Sequence, residues 1–162
     1  MNYAIVFRLL GYILMIEGVL LLLPAVTSLI YAEWAVMGVF LLTAAISAAL
    51  GLGLRTIKPR SKVFYMREGF AATALSWIAI SIVGAVPFVL TGCIPNPVDA
   101  MFETVSGFTT TGASILPGVE GLPNGILFWR SFTHWIGGMG VLVFPVSYTH
   151  LRSPRDSTSS RM

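Results

Sequence analysis

The chain has 162 residues, 56% of them hydrophobic and 10% charged, with a mean hydropathy of +0.82. Soluble domains carry about 25% charged residues, so this chain has too little polar surface to cover a water-exposed globule and reads as a membrane protein. A single cysteine and two histidines exclude a disulfide framework and argue against structural zinc, and the net charge of +3 matters through where its charges fall.

Four apolar stretches are each long enough to cross a hydrocarbon core of about 30 Å as a helix, which leaves no room for a sizeable soluble domain. The first runs from Leu9 to about Leu29, interrupted by Glu17 and Pro24. It is too long for the core of a signal peptide, about 7–15 residues. Glu17 calls either for a polar partner, which local sequence does not identify, or for protonation. The second stretch, Trp34 to Leu54, is uncharged and repeats small residues such as Ala44, Ser47, Ala48 and Gly51 on one helical face, as tightly packed membrane helices do. Then comes RTIKPRSKVFYMRE, residues 55–68, with Arg55, Lys58, Arg60, Lys62 and Arg67. The third stretch, Gly69 to Ile94, carries Pro87 near its far end; the fourth, Gly125 to Val146, contains Arg130 and His134. The segments Ala25–Glu33 and Gly92–Asn124 hold no Lys or Arg but carry Glu33, Asp99, Glu103 and Glu120. The basic loop is therefore expected in the cytoplasm, and Arg8 puts the amino terminus on the same side.

Between the third and fourth stretches lies CIPNPVDAMFETVSGFTTTGASILPGVEGLPNG. Pro95 and Pro97 pre-set a helix start and Asp99 suits a first turn. Val98, Met101, Phe102 and Val105 then recur at helical spacing over residues 98–107. Ten residues of helix reach about 15 Å, half the hydrocarbon thickness, and Gly107 offers a stop. The run Thr109–Ser114 is β-branched with a glycine, and six extended residues cover about 20 Å. That pattern predicts a re-entrant loop, a half-helix down and a strand back. From spacing alone, an ordinary extracellular loop with a short amphipathic helix accounts for it equally well. Non-helical backbone at membrane depth must be buried in protein or line water. There its carbonyls, and the partially negative end of the half-helix, favour a cation.

Three blocks carry a resemblance: REGFAATALSWIAISIVGAVPF, DAMFETVSGFTTTGASIL and LPNGILFWRSFTHWIGGMGVLVF. Over about residues 1–146 the chain resembles the membrane subunit of the Trk/Ktr/HKT potassium-transport superfamily, most closely the bacterial Trk-type uptake proteins. The resemblance implies an all-α membrane protein with four transmembrane helices here, plus one re-entrant pore helix (about 98–107) and an extended filter loop (about 109–114). Residues 1–54 look like an extra amino-terminal helix pair, 55–68 a basic cytoplasmic loop, and 69–146 a first helix–pore loop–helix repeat. It implies K+ as the transported ion, coordinated by backbone oxygens of Thr110, Thr111 and Gly112 with Thr109 and Ala113 flanking, and no organic cofactor. Implied partners are membrane lipid, the remaining repeats, a cytosolic nucleotide-binding regulatory subunit near residues 55–68, and a second copy of the full-length subunit; no nucleic acid is implied. The implied location is the bacterial cytoplasmic (inner) membrane.

Arg130 and His134 are four apart and share a helix face. Arg130 is expected to pair with an acidic group such as Glu103 and pin the pore helix, and His134 to be a hydrogen-bonded packing residue; all three are structural or gating candidates. Gly137, Gly138 and Gly140 are expected to admit a close neighbour. The family has four repeats and this chain carries one, so the expectation is an amino-terminal fragment, inactive alone. Residues 147–162 read as a polar tail, disordered or non-native. A non-conducting assembly or scaffold subunit is the competing class. An enzyme built on Arg130 and His134 would lack a paired carboxylate or a placed nucleophile, and there is no nucleotide-binding G-x-x-x-x-G-K-[ST] loop.

Overall fold

A computed structural model describes residues 3–57 and 66–151. Most of the basic loop and residues 152–162 of the expected tail lie outside the described residues. The described residues are all-helical, without strands: α1 Tyr3–Leu20, α2 Leu22–Ile30, α3 Trp34–Arg55, α4 Met66–Leu90, α5 Pro97–Phe108 and α6 Asn124–Leu151. Three helical stretches, Tyr3–Ile30, Trp34–Arg55 and Gly69–Leu90, are long and apolar enough to cross a membrane. The segment expected as a fourth crossing lies in α6, of 28 residues, which is not among these three.

The first apolar stretch is interrupted at Leu21. Pro24 has no N–H to offer the Leu20 carbonyl, and the next bond, Ala25 N to Leu21 O, is stretched to 3.4 Å. α2 closes on Ala32 in the left-handed region (φ 56°). The N–H groups of Ala32 and Glu33 there donate back to Leu29 O and Ser28 O, the 5→2 and 6→1 pair that ends many helices. α3 then runs antiparallel to α1. A Cβ on Gly11 would come within 2.7 Å of Gly51 O, and one on Gly51 within 2.7 Å of Gly11 O, so the two backbones are in direct contact, as small residues permit in membrane helices. Ser47 Oγ donates across to Leu14 O at 2.7 Å. At the same end Arg55 lies 5.2 Å over the Tyr12 ring, one turn from Arg8, so these cations gather at the end of the bundle opposite Glu33.

α4 packs against α1 and α5, and α6 against α5 and α2. An edge-to-face series of rings links four helices: Phe40 of α3 with Trp129 of α6, Trp129 with Phe108 of α5, and Phe108 with Trp77 of α4, at 6.3, 6.4 and 6.3 Å between centroids. Rings at such separations and angles attract beyond their buried area. The Trp129 indole donates to Gly84 O at 3.0 Å. Buried hydroxyls are satisfied mostly within their own helix, as with Ser28 to Pro24 O, Ser76 to Ala72 O and Thr104 to Ala100 O, which removes the penalty of an unpaired polar group in an apolar core.

Several boundaries depart from the sequence expectation; α1 starts at Tyr3 rather than Leu9 and α4 at Met66 rather than Gly69. α4 ends at Leu90 rather than Ile94, turning on Gly92 (φ 74°). α5 passes through Gly107, which is buried inside the helix, and stops after Phe108. α6 continues through residues 147–151, the first part of the expected tail.

Candidate ion-binding loop

α5 starts where its first residues supply the missing caps. Asn96 Oδ1 accepts from Val98 N at 3.1 Å, Pro97 occupies the first helical turn without wasting a donor, and Asp99 lies in that turn, as a helix N-terminus favours. Asn96 was legible as a cap, an Asn directly before a helix-initiating proline, but the sequence reading passed over it.

The helix ends in a tight reversal. Thr109 keeps helical backbone (φ −84°, ψ −1°) and Thr110 turns left-handed (φ 56°). Thr110 N donates to Gly107 O and Thr111 N to Ser106 O, both at 3.0 Å. This is the same closure as at Ala32, but with a threonine where glycine is usual. Gly112 is left-handed as well (φ 76°), with nothing within 4 Å of a Cβ there. The expected six-residue extended strand is thereby corrected: Thr109 belongs to the helix end, and two of the next three residues turn left-handed, because the last carbonyls of α5 capture the amides of Thr110 and Thr111.

From Gly112 the chain runs back along α5. Ser106 Oγ donates to Ala113 O at 2.6 Å. Ser114 Oγ donates to both Glu103 carboxylate oxygens, at 3.1 and 3.0 Å, and Ile115 N donates to Glu103 Oε2 at 3.0 Å. Glu103 is almost wholly buried (2% exposed) and also accepts Arg130 Nε of α6 at 2.6 Å. The pair expected between Arg130 and Glu103 is thus present, and the same carboxylate also clamps the returning chain. A carboxylate sunk in protein needs such a full set of donors. Sequence reasoning foresaw the arginine but not Ser114 or the Ile115 amide, whose nearness depends on the reversal.

The residues at the apex, Thr109 to Ala113, are all exposed. Their hydroxyls are committed to the loop. Thr109 Oγ1 donates to Val105 O at 2.7 Å, so the 2.8 Å contact between Thr109 and Thr111 hydroxyls takes its hydrogen from Thr111; Thr110 Oγ1 donates to Thr109 O at 2.7 Å. Each hydroxyl has one hydrogen to give, and all three are spent holding the turn. The end of α5 is pressed against α6, where a Cβ on Gly137 would overlap Phe108 O. Gly138 and Gly140 are looser, meeting Thr110 Cγ2 at 3.9 Å and the Trp77 ring at 3.4 Å. His134 Nδ1 donates to Arg130 O at 2.9 Å, one helical turn back, and does not reach the apex loop by any hydrogen bond among the described residues.

The sequence profile of a family described as TrkH, cation transport protein, matches residues 34–159, reaching into the segment set apart as tail. The chain is 39% identical over 139 residues to an uncharacterized cation transporter of Methanocaldococcus jannaschii, covering 85% of this chain and 29% of that protein. It is 36% identical over 153 residues to the Trk system potassium uptake protein TrkH of Halomonas elongata, covering 91% of this chain and 31% of that one. The Escherichia coli K12 protein of the same name is 36% identical over 152 residues, with the same coverage of 91% and 31%. The chain spans about three tenths of the length of these curated relatives.

Proposed function

The chain belongs to the TrkH family of cation transport proteins, and on that premise we propose that it forms the amino-terminal part of the pore-lining subunit of a Trk-type potassium uptake system. The observation that carries this reading is the exposed turn Thr109–Ala113, folded back on α5 and tied down through the buried Glu103. In this reading α1–α2, α3, α4 and α6 cross the membrane, while α5 enters from the outer face and stops midway. The gathering of Arg8 and Arg55 at one end of the bundle and Glu33 at the other supports a cytoplasmic amino terminus in an inner membrane.

K+ would be held by backbone oxygens of Thr110, Thr111 and Gly112, with Thr109 and Ala113 flanking. Carbonyl oxygens replace an ion's hydration shell, and the carboxyl end of α5 adds partial negative charge. The threonine hydroxyls keep the turn in shape. Selectivity needs the ion encircled, so the remaining repeats of the full-length subunit would complete the pore, and this segment by itself is inactive. A regulatory nucleotide-binding subunit on the cytosolic side and a second copy of the full-length subunit are the further partners of this reading.

The test is Gly112→Ser or Gly112→Asp in the full-length protein. Both side chains strain a left-handed position and enter the space before the loop. Expected is loss of growth at low K+ in an uptake-deficient bacterium, or a collapse of K+ over Na+ selectivity. Unchanged growth and selectivity would remove the turn from the ion path and leave a non-conducting assembly role.

A further inference from the structure

α6 begins at Asn124, directly after Pro123, whose side chain accepts no hydrogen bond. The first amides of a helix need acceptors from elsewhere, and here they come from 91 residues away. Glu33 Oε1 accepts from Asn124 N at 2.7 Å and from Asn124 Nδ2 at 3.1 Å; Oε2 accepts from Gly125 N at 3.1 Å. A carboxylate also complements the positive end of the helix dipole. Glu33 is itself fixed in the turn between α2 and α3, its N–H donating to Ser28 O at 2.8 Å and its carbonyl accepting from Met37 N at 2.9 Å. Gly125 then sits so close to Ser28 that a Cβ on it would overlap Ser28 Oγ. The start of α6 is therefore pinned in both depth and rotation to the amino-terminal helix pair.

We infer that Glu33 is a positioning residue for the filter turn, acting through α6. Arg130 lies about six residues further along that helix, roughly 9 Å of rise. Arg130 donates to Glu103, and Glu103 accepts from Ser114 and Ile115 on the chain leaving the turn. A shift of α6 along or about its axis moves Arg130 against Glu103 and changes the spacing of the Thr110–Gly112 carbonyls. The helix pair formed by residues 1–54, which has no filter of its own, thereby takes part in selectivity. This rests on the reading of Thr110–Gly112 as a K+ filter.

The experiment is paired K+ and Na+ flux through the full-length protein in liposomes. A wild-type protein without K+-selective flux would sink the filter reading itself, whatever Glu33 does. With a selective wild type, Glu33→Ala is expected to lower the K+:Na+ flux ratio at least fivefold. Glu33→Gln, which keeps one acceptor oxygen, should lower it by less, and carries the test if the alanine variant does not reach the membrane. Adding Pro123→Asp to Glu33→Ala gives α6 a local cap without the tie to the helix pair. It should recover thermal stability but not the flux ratio. An unchanged ratio in the single variants, or a ratio restored by Pro123→Asp, would overturn the inference, because capping alone would then account for Glu33.

Discussion

Thr110 is a β-branched residue in the left-handed region (φ 56°), where an L-residue costs about 1–2 kcal/mol. Such strain persists when surrounding bonds over-determine it, and here those bonds are the two amides captured by Ser106 O and Gly107 O and the three hydroxyls folded inward. Replacing Thr110 by glycine relieves the strain but frees the turn. Thr110→Gly in the full-length protein is expected to be neutral or up to about 1 kcal/mol more stable in thermal unfolding, while its K+:Na+ flux ratio falls severalfold. A less stable protein with selectivity intact would show that the turn is not held under strain for function.

Glu103 works at the same scale but has more partners. Removing one side of a buried ion pair costs about 3–5 kcal/mol. Arg130 is a quarter exposed (25%) and Glu103 keeps Ser114 and Ile115, so Arg130→Met is expected to cost less, about 2 kcal/mol. Glu103→Leu orphans the guanidinium and both donors of the returning chain, and should be the worse of the two. Thermal melts of the two variants side by side check the order; equal losses would mean that the arginine, not the returning chain, is what Glu103 holds.

Among elements, α5 is placed by backbone contact. Gly137 of α6 meets the Phe108 carbonyl with no room for a methyl group, and overpacking of this kind costs about 1–3 kcal/mol. Gly137→Ala is therefore expected to lower the melting temperature and impair uptake. Gly138→Ala, whose Cβ would meet only Thr110 Cγ2 at 3.9 Å, should be tolerated. Similar losses in both would place the close approach elsewhere on α6. The two glycines are neighbours in the sequence and cannot be told apart there; helix phase against α5 separates them. The sequence reading assigned Gly137, Gly138 and Gly140 one shared role; only at Gly137 does a neighbour's backbone leave no room for a Cβ.

For the whole molecule, α5 buries polar residues beside Ala100 and Phe108 and leaves several apolar ones outside. Its polar residues Glu103, Thr104 and Ser106 are buried, while Val98, Phe102 and Val105 are 74%, 49% and 37% exposed. An apolar hollow beside them is lined by Ile82, Ala85, Val86, Val89, Pro97 and Met101. That outward face suits lipid or further apolar helices; in the re-entrant reading proposed above, the exposed backbone of the turn would tolerate only water or protein around it. The chain alone, reconstituted in liposomes, is accordingly expected to give no K+-selective flux under conditions where the full-length protein does. Selective flux from residues 1–162 would show that copies of this one repeat can surround an ion by themselves.

The sequence by itself determined the membrane class, the number and order of the long apolar helical stretches, though not the start of the first at Tyr3 or its interruption at Leu21, and the break between α5 and α6. These are local properties, set by hydropathy, periodicity and proline, and each can be read within about twenty residues. It also called for an acidic partner for Arg130, with Glu103 as an example, since an arginine in an apolar helix seeks a carboxylate. The tertiary structure alone decided which face of α5 is buried, that the returning chain shares Glu103 with Arg130, and that Glu33 caps a helix 91 residues later. A hydrogen-bond donor at a helix end announces that it needs an acceptor, but which acceptor reaches it depends on how the helices stack.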